Sequence, residues 1–230
     1  MSESDADAVL RSRRVAPSIL AADFGTLRDQ VRTVLDAGAR IIHVDVMDGH
    51  FVPPLSMGKQ VVEAIAPLVH DAGGVIETHL MVERPEHHVD HFARAGSDVI
   101  IAHQEATPHL HYALQAIERS GARPGAAINP STPPEVLTEV LQYLDVALCM
   151  TVNPGWGGQP FIEHSIDKLR RMRALLPDDV ALEVDGGIDP DTAGPCAEAG
   201  ATRFVAGSAV FGAPDPAEAY RAVVQAAGAE

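Results

Sequence analysis

The sequence predicts a single-domain α/β protein, a closed (β/α)8 TIM barrel. Eight short apolar or β-branched segments alternate with helical patterns, and each strand and helix together take about 25 to 30 residues. Several helical patterns end at a glycine, as at Gly38, Gly96, Gly121 and Gly200, which favours the left-handed C′ conformation. Eight similar units without a second domain favour a closed barrel over an open, doubly wound sheet. The length of 230 residues is close to the roughly 250 usual for this fold.

The elements follow one another in a regular order along the chain. The predicted strands span residues 15–20, 41–47, 75–81, 98–103, 125–129, 146–152, 181–185 and 203–206. The helical pattern of residues 26–37 follows the first strand, and that of residues 161–175 follows the sixth. Residues 1–14 show no periodicity and predict a flexible N-terminal tail, so the predicted catalytic barrel domain spans residues 15–230.

Composition limits the classes of function. The net charge of −15, from 17 basic and 32 acidic residues, disfavours nucleic acid as a partner. No apolar run approaches the ~20 residues that span a bilayer, and the first residues lack a signal-peptide core, so we expect a cytoplasmic protein without membrane contact. Cys149 and Cys196 lie in apolar or helical stretches and are expected to be buried thiols, not a disulfide or a zinc site.

Polar side chains stand where three predicted strands end. Strand two carries His43 and Asp45, which point to the same face because strand side chains alternate. Strand three carries His79, and strand seven ends with Asp185. Catalytic residues of barrels lie at these carboxyl ends, so inward projection would bring the four groups together. Two imidazoles and two carboxylates suit a divalent ion such as zinc, manganese or iron(II). Any one of these residues alone is also compatible with a core histidine or a helix cap.

Glycine-rich turns follow strands six, seven and eight. They comprise Gly155, Trp156, Gly157 and Gly158 after strand six, Gly186 and Gly187 after strand seven, and Gly207 and Ser208 after strand eight. The loops after strands seven and eight form the usual phosphate site of barrels, where backbone N–H groups are the donors. Each turn taken separately is also compatible with an ordinary tight connection between a strand and a helix.

A metal site beside a phosphate site indicates a particular chemistry. A bound metal polarises a carbonyl and stabilises an enediolate while a carboxylate removes the adjacent proton. Asp45 and Asp185 lie on strands two and seven, which are well separated around an eight-stranded ring. That separation suits removal of a proton from one face of the substrate and its return to the other face, which inverts a carbon.

Eight segments in this order resemble the ribulose-phosphate 3-epimerase family, from about residue 15 to residue 211. The segments are APSILAADF, HVDVMDGHFVP, HLMVERPE, HQEA, AAINPSTP, MTVNPGWGGQPF, LEVDGGI and VAGSAVFG. The resemblance implies reversible C3 epimerisation of D-ribulose 5-phosphate to D-xylulose 5-phosphate in the pentose phosphate pathway. It also implies one divalent cation per subunit (zinc, iron(II), manganese or cobalt) and a homo-oligomer.

The resemblance also implies roles for individual residues. His43, Asp45, His79 and Asp185 would be the metal ligands, with Asp45 the proton acceptor and Asp185 the proton donor in one direction. Ser18 would contact the substrate, as would His79 and Asp185, and the phosphate would lie against the glycine turns, including Trp156 and Gly186. Met47, Met81 and Met150 would line the site, a position equally compatible with ordinary core filling.

Three positions depart from the family pattern, and two other functions stay open. Glu77 stands where the family usually has Asp, Pro54 where it has Asn, and Trp156 where it has Phe, which bears on metal orientation and loop closure. One alternative is an epimerase of a six-carbon ketose phosphate such as allulose 6-phosphate, which would need a longer pocket. The other is a barrel that binds a sugar phosphate without turning it over.

Overall fold

Eight parallel strands form the barrel in the computed structural model, which describes residues 3–230. The strands are β1 (Arg14–Pro17), β2 (Ile41–Met47), β3 (Val75–Met81), β4 (Val99–His103), β5 (Arg123–Ile128), β6 (Val146–Met150), β7 (Ala181–Asp185) and β8 (Arg203–Ala206). Hydrogen-bonded neighbours run in the order β1-β8-β7-β6-β5-β4-β3-β2. A parallel bridge between Ser18 and His43 joins the two remaining edges. The predicted single (β/α)8 barrel is confirmed.

Helices surround the strands, and the first of them lies at the amino end of the barrel. They are α1 (Glu3–Arg11), α2 (Leu27–Asp36), α3 (Lys59–Asp71), α4 (Val89–Ala95), α5 (Leu110–Arg119), α6 (Ser165–Leu175), α7 (Pro190–Glu198), α8 (Ser208–Phe211) and α9 (Pro216–Ala227). The connection after β5 differs from the prediction of an α-helix, because it is a 3-10 helix over Pro134–Tyr143. Pro133 is its N-cap and Pro134 its first residue, and the proline rings fix φ and remove N–H donors.

The first strand is shorter than predicted. It ends at Pro17, and the Ser18 hydroxyl then accepts from the Leu20 N–H and caps a 3-10 turn over Ile19–Ala21. Ser18 pairs with His43 of β2 and therefore lies at the carboxyl end of β1, beside β2.

Alternation of side chains divides the apolar core into two layers. Val44 and Ile76 belong to the larger cluster between the strands and the surrounding helices. Ile41, Val75 and Leu148 belong to a second cluster inside the barrel. The faces are fixed by the two-residue period of the strands, so His43 and Asp45, at odd positions like Ile41, point inward.

The N-terminal segment differs from the prediction of an irregular, flexible tail. Within the described residues it forms α1, and Arg14 already belongs to β1. Val9 and Leu10 are buried in the interior cluster, and Asp7 forms an ion pair with Arg123. The helix is amphipathic, and burial of its apolar side chains at the amino end of the barrel supplies the stability that propensity alone does not. Residues 1 and 2 of the predicted tail lie outside the described residues.

Two further expectations concern the membrane and the cysteines. Among the described residues, no helix has the length and apolar character needed to cross a membrane. Cys149 and Cys196 are free and buried, as predicted. Burial raises the pKa of the Cys149 thiol to about 11 and that of Cys196 to about 12, so both are protonated at neutral pH.

Candidate metal centre and substrate pocket

The four predicted metal ligands lie together inside the mouth of the barrel. One nitrogen or oxygen atom from each of His43, Asp45, His79 and Asp185 lies within 4.8 Å of the other three. The register explains this arrangement, because Asp45 is paired with His79 across β2 and β3. Asp185 reaches the same point from the end of β7 on the other side of the barrel, where its Oδ2 lies 3.5 Å from His79 Nδ1.

Two glutamate carboxylates on the Nδ1 side fix the orientation of the His43 ring. Its Nδ1 lies 3.0 Å from Glu77 Oε1 and 3.5 Å from Glu183 Oε1. Its Nε2 has no hydrogen-bond partner among the described residues and lies 3.4 Å from Asp45 Oδ1. A carboxylate on Nδ1 keeps a proton there, so Nε2 is the nitrogen directed at the ligand cluster.

A second chain of contacts fixes His79. Its Nε2 lies 2.8 Å from His103 Nε2, so one ring must donate and the other must accept. Glu105 Oε2 lies 3.3 Å from His103 Nδ1 and, as a carboxylate, can only accept. The neutral His103 ring therefore carries its proton on Nδ1 and accepts from His79 at Nε2. The other ring nitrogen, His79 Nδ1, therefore faces the cluster and lies 3.1 Å from Asp45 Oδ1.

Asp45 is held at both carboxylate oxygens. The Ser18 hydroxyl donates to Oδ2 at 2.5 Å, while Oδ1 faces the two histidines. Burial by itself raises the pKa of Asp45, but His43 and His79 outweigh it and hold the pKa well below its usual range. Burial likewise lowers the pKa of His43, but Asp45 and Glu77 outweigh it, and the pKa lies well above its usual value. The raised pKa values of His43 and His79 favour protonated rings beside Asp45, and a cation would bind in exchange for these protons.

The donor set fits a divalent cation. Two imidazole nitrogens with fixed tautomers and two carboxylates match the ligands that zinc, manganese and iron(II) prefer. The unpartnered Nε2 of buried His43 supports this fit, because a buried polar atom without a partner is otherwise costly.

An open pocket lies directly above the donor set. It has a cavity volume of about 120 Å³, and its floor includes Asp45 and Asp185. The three methionines Met47, Met81 and Met150 line it, as the family resemblance implied. The predicted substrate residues that line it are Ser18, Gly155, Trp156, Gly157, Gly158, Gly186, Gly187, Gly207 and Ser208. His43 and His79 do not line it, because both lie fully buried beneath Asp45.

Backbone conformation explains the glycine after β7. Gly187 has a φ of +66°, and a Cβ there would lie 2.7 Å from the Phe161 backbone nitrogen. A side chain at this position would be strained and would push the loop after β6 away from the loop after β7. Glycine therefore lets the two loops approach each other at the wall of the pocket.

Charged residues inside the barrel were missed at the level of sequence. Glu183 and Arg203 are fully buried below His43, and Arg203 Nη1 lies 2.5 Å from Glu77 Oε2. Although burial raises the pKa of Glu77, Arg203 and His43 outweigh it and hold the pKa at about 2. Burial and the neighbouring Glu77 raise the pKa of Glu183 well above its usual value. Their spacing in the sequence could have revealed the two glutamates, because Glu77 and Glu183 each precede a predicted ligand by two residues and therefore face the same side of the strand.

The three departures from the family pattern occupy different places. Glu77 contacts His43 directly. Trp156 lines the pocket with 56% of its surface exposed. A Cβ on Gly155 would contact Pro54, so the proline packs beside the loop after β6.

The fold and the site together define a barrel enzyme with a buried cluster of potential metal ligands below a glycine-rich pocket. The sequence model of the ribulose-phosphate 3-epimerase family matches residues 14–211. The chain belongs to this family, and it is an epimerase and hence an isomerase.

Curated relatives cover nearly the whole chain. Ribulose-phosphate 3-epimerase of Bacillus subtilis is 44% identical over 206 residues, which cover 88% of this chain and 94% of that protein. The enzyme of the same name from Synechocystis is 48% identical over 214 residues, covering 91% and 92%. Among solved structures, 3-hexulose-6-phosphate synthase from Salmonella typhimurium has a TM-score of 0.73 at 16% identity, covering 93% and 98%. That likeness shows the fold alone.

Proposed function

We propose that this protein interconverts D-ribulose 5-phosphate and D-xylulose 5-phosphate by inverting C3 through a 2,3-enediolate. The observation that carries the proposal is the convergence of Asp45 and Asp185, from β2 and β7, on one buried donor cluster below an open pocket. The names of the curated relatives support the pentose phosphate as substrate. Their names give no support to a six-carbon substrate.

The two aspartates are the acid and base of the proposed reaction. Asp45 accepts the C3 proton on one face, and Asp185 supplies a proton on the other face; in the reverse direction they exchange roles. The Ser18 hydroxyl, which donates to Asp45 Oδ2, orients that carboxylate and is placed to contact the substrate. The partly exposed side chain of Asp185 faces the pocket directly.

His43, Asp45, His79 and Asp185 would hold one divalent cation. When bound, the cation supplies a positive charge that polarises the substrate carbonyl and stabilises the negative charge of the enediolate. Glu77 keeps His43 in the required tautomer, and His103 does the same for His79. The three methionines exclude water from the apolar side of the pocket, which strengthens electrostatic interactions within it.

The phosphate group would lie against the turns after β6, β7 and β8. Gly158 and Gly187 have positive φ, which glycine adopts without strain, and their lack of a side chain lets the backbone approach a ligand closely. Ser208 begins α8 after Gly207, and the first N–H groups of a helix lack partners within it. Backbone donors hold an anion even though the net charge of the chain is −15.

Isotope exchange tests the proposal. The metal-loaded protein is incubated in D2O with D-ribulose 5-phosphate, and NMR follows both deuterium at C3 and D-xylulose 5-phosphate. We expect both to appear, to stop when a chelator removes the metal, and to return when the metal is restored. Binding without exchange would contradict the proposal and favour a binding barrel.

Two comparisons accompany this assay. Faster turnover of allulose 6-phosphate than of ribulose 5-phosphate would overturn the substrate assignment. The proposed homo-oligomer is tested by sedimentation velocity of the same preparation, where a single species of monomer mass would contradict it.

A further inference from the structure

The interior of the barrel contains a charged cluster that the proposed reaction does not use directly. It consists of Glu77, Glu183 and Arg203, all fully or almost fully buried. With His43, the two glutamates form a second group of potential metal ligands. Here the cation between them is the Arg203 guanidinium, whose Nη1 lies 2.5 Å from Glu77 and 3.6 Å from Glu183.

Arg203 also reaches the N-terminal helix. Its Nη2 donates to the main-chain carbonyl of Leu10 at 2.9 Å, close to the end of α1. A carbonyl in the last turn of a helix has no partner within the helix and carries partial negative charge. Arg203 therefore binds a helix terminus with one nitrogen and the carboxylate that holds His43 with another.

The helix lies outside the part of the chain that matches the family, which begins at residue 14. Val9 and Leu10 pack into the interior cluster, so α1 closes the amino end of the barrel. A continuous series of contacts then runs from Leu10 through Arg203 and Glu77 to His43.

We propose that Arg203 is a positioning residue that couples the docking of α1 to the metal centre. The inference rests on the proposed function, because it takes His43 as a metal ligand. Arg203 fixes the Glu77 carboxylate, Glu77 fixes the His43 ring, and the Leu10 carbonyl fixes Arg203. Contacts of this kind behind a metal ligand typically change metal affinity about 10- to 100-fold.

Metal affinity measured by chelator competition is the first test. We expect Arg203→Met to weaken Mn2+ or Zn2+ binding about 10- to 100-fold and Arg203→Lys to restore part of the loss. Arg123→Met is the matched control, because Arg123 also contacts α1, through Asp7, but its described ion pairs are with Asp7 and Asp145 and not with Glu77 or Glu183. Unchanged affinity in Arg203→Met, or an equal loss in Arg123→Met, would overturn the inference.

Arg203→Met leaves Glu77 as a buried, unpaired carboxylate and is itself able to prevent folding. The double variant Glu77→Gln/Arg203→Met removes that charge. We expect it to fold and to bind metal about as weakly as Glu77→Gln alone, because both residues act through the same contact to His43. If the losses of metal-binding free energy in the two single variants added fully in the double variant, the series of contacts would be contradicted.

Hydrogen exchange tests the coupling in the wild-type full chain. Coupling between two sites is reciprocal, so bound metal must stabilise the docking of α1 by the factor with which docking strengthens metal binding. We expect metal to slow amide exchange in the peptide covering residues 1–13 about tenfold. Exchange that is indifferent to bound metal would refute the coupling. A wild-type protein that binds no metal would instead refute the proposed function.

Discussion

Replacement of Asp185 by Asn should separate proton exchange from epimerisation. The side chain keeps its shape and its place at the end of β7, where the Thr151 N–H and hydroxyl both donate to the Asp185 main-chain carbonyl. The amide of Asn, unlike the Asp185 carboxylate, cannot exchange a proton with the substrate. Asp45 still removes and returns the C3 proton on its own face, so one epimer exchanges with solvent but is not converted.

The size of the effect follows from the role of the group. A positioned general acid or base contributes about 10²- to 10⁴-fold to rate. At 1.36 kcal/mol per factor of ten, the barrier to epimerisation rises by about 2.7 to 5.4 kcal/mol. For the epimer whose proton Asp45 removes, the rate of C3 proton exchange should fall far less. The assay uses saturating metal, because Asn is a weaker metal ligand than Asp.

The assay follows deuterium at C3 and product formation for each epimer separately in D2O. Asp185→Asn should retain exchange with one epimer, and Asp45→Asn with the opposite epimer. Both variants should still bind inorganic phosphate, since backbone donors on other loops would hold it. The exposed Asp191, early in α7, provides the control substitution Asp191→Asn, which should leave both activities unchanged.

Retention of exchange with both epimers in Asp185→Asn would refute the assignment of one aspartate to each face. Loss of exchange with both epimers at saturating metal would also refute it, because the remaining Asp45 should act alone. Parallel loss of phosphate binding would contradict the division between the acid–base groups and the glycine turns.

Three further predictions follow from other contacts. Ser18→Ala removes the hydroxyl that donates to Asp45. Because hydrogen bonds to charged groups are worth about 1.5 to 3 kcal/mol, we expect kcat/KM to fall about 10- to 100-fold. An unchanged kcat/KM would contradict the role of Ser18 in orienting Asp45. Gly187→Ala should lower the free energy of unfolding by about 1 to 3 kcal/mol in urea titrations, because φ is +66° and the new Cβ would meet the Phe161 backbone. The control Gly157→Ala, which has open space at its Cβ, should leave the free energy of unfolding nearly unchanged. His70 donates to Asp98, which raises the pKa of this histidine, so its stabilisation is fully present below pH 6.5 and is lost as pH rises through the raised pKa. His70→Asn should therefore destabilise the protein more at pH 6 than at pH 9, by up to about 1 kcal/mol for this partly exposed pair, and an equal effect at both pH values would contradict the ion pair.

Periodicity predicted the strands that carry the site more accurately than it predicted the irregular segments. The bounds of β2, β3, β7 and β8 agree with the prediction residue for residue. These strands are short apolar runs with clear turn signals on both sides, so local sequence and tertiary packing favour the same structure. The 3-10 helix of residues 134–143 was not predicted, since a helical pattern does not distinguish it from an α-helix that has a proline as its N-cap and another as its first residue.

The N-terminal segment shows the opposite case. Helix α1 has a mean polar character, and only Val9 and Leu10 mark its apolar side among the side chains that the structure describes. Such a segment gains its stability from the surface on which it packs. That surface is the amino end of a closed barrel, which exists only after strands far apart in sequence have paired.

By itself, the sequence determined the barrel, the order of its units and the four side chains that meet at its mouth. Strand period and the parallel register are local consequences of residue pattern, and they place His43, Asp45, His79 and Asp185 on the inner face. Tertiary structure alone decided which nitrogen of each histidine faces the cluster, because Glu77 and His103 come from neighbouring strands. It also decided that Arg203 lies between two glutamates and reaches Leu10. A buried charge takes its partners from whatever surrounds it in space, and sequence spacing does not specify those partners.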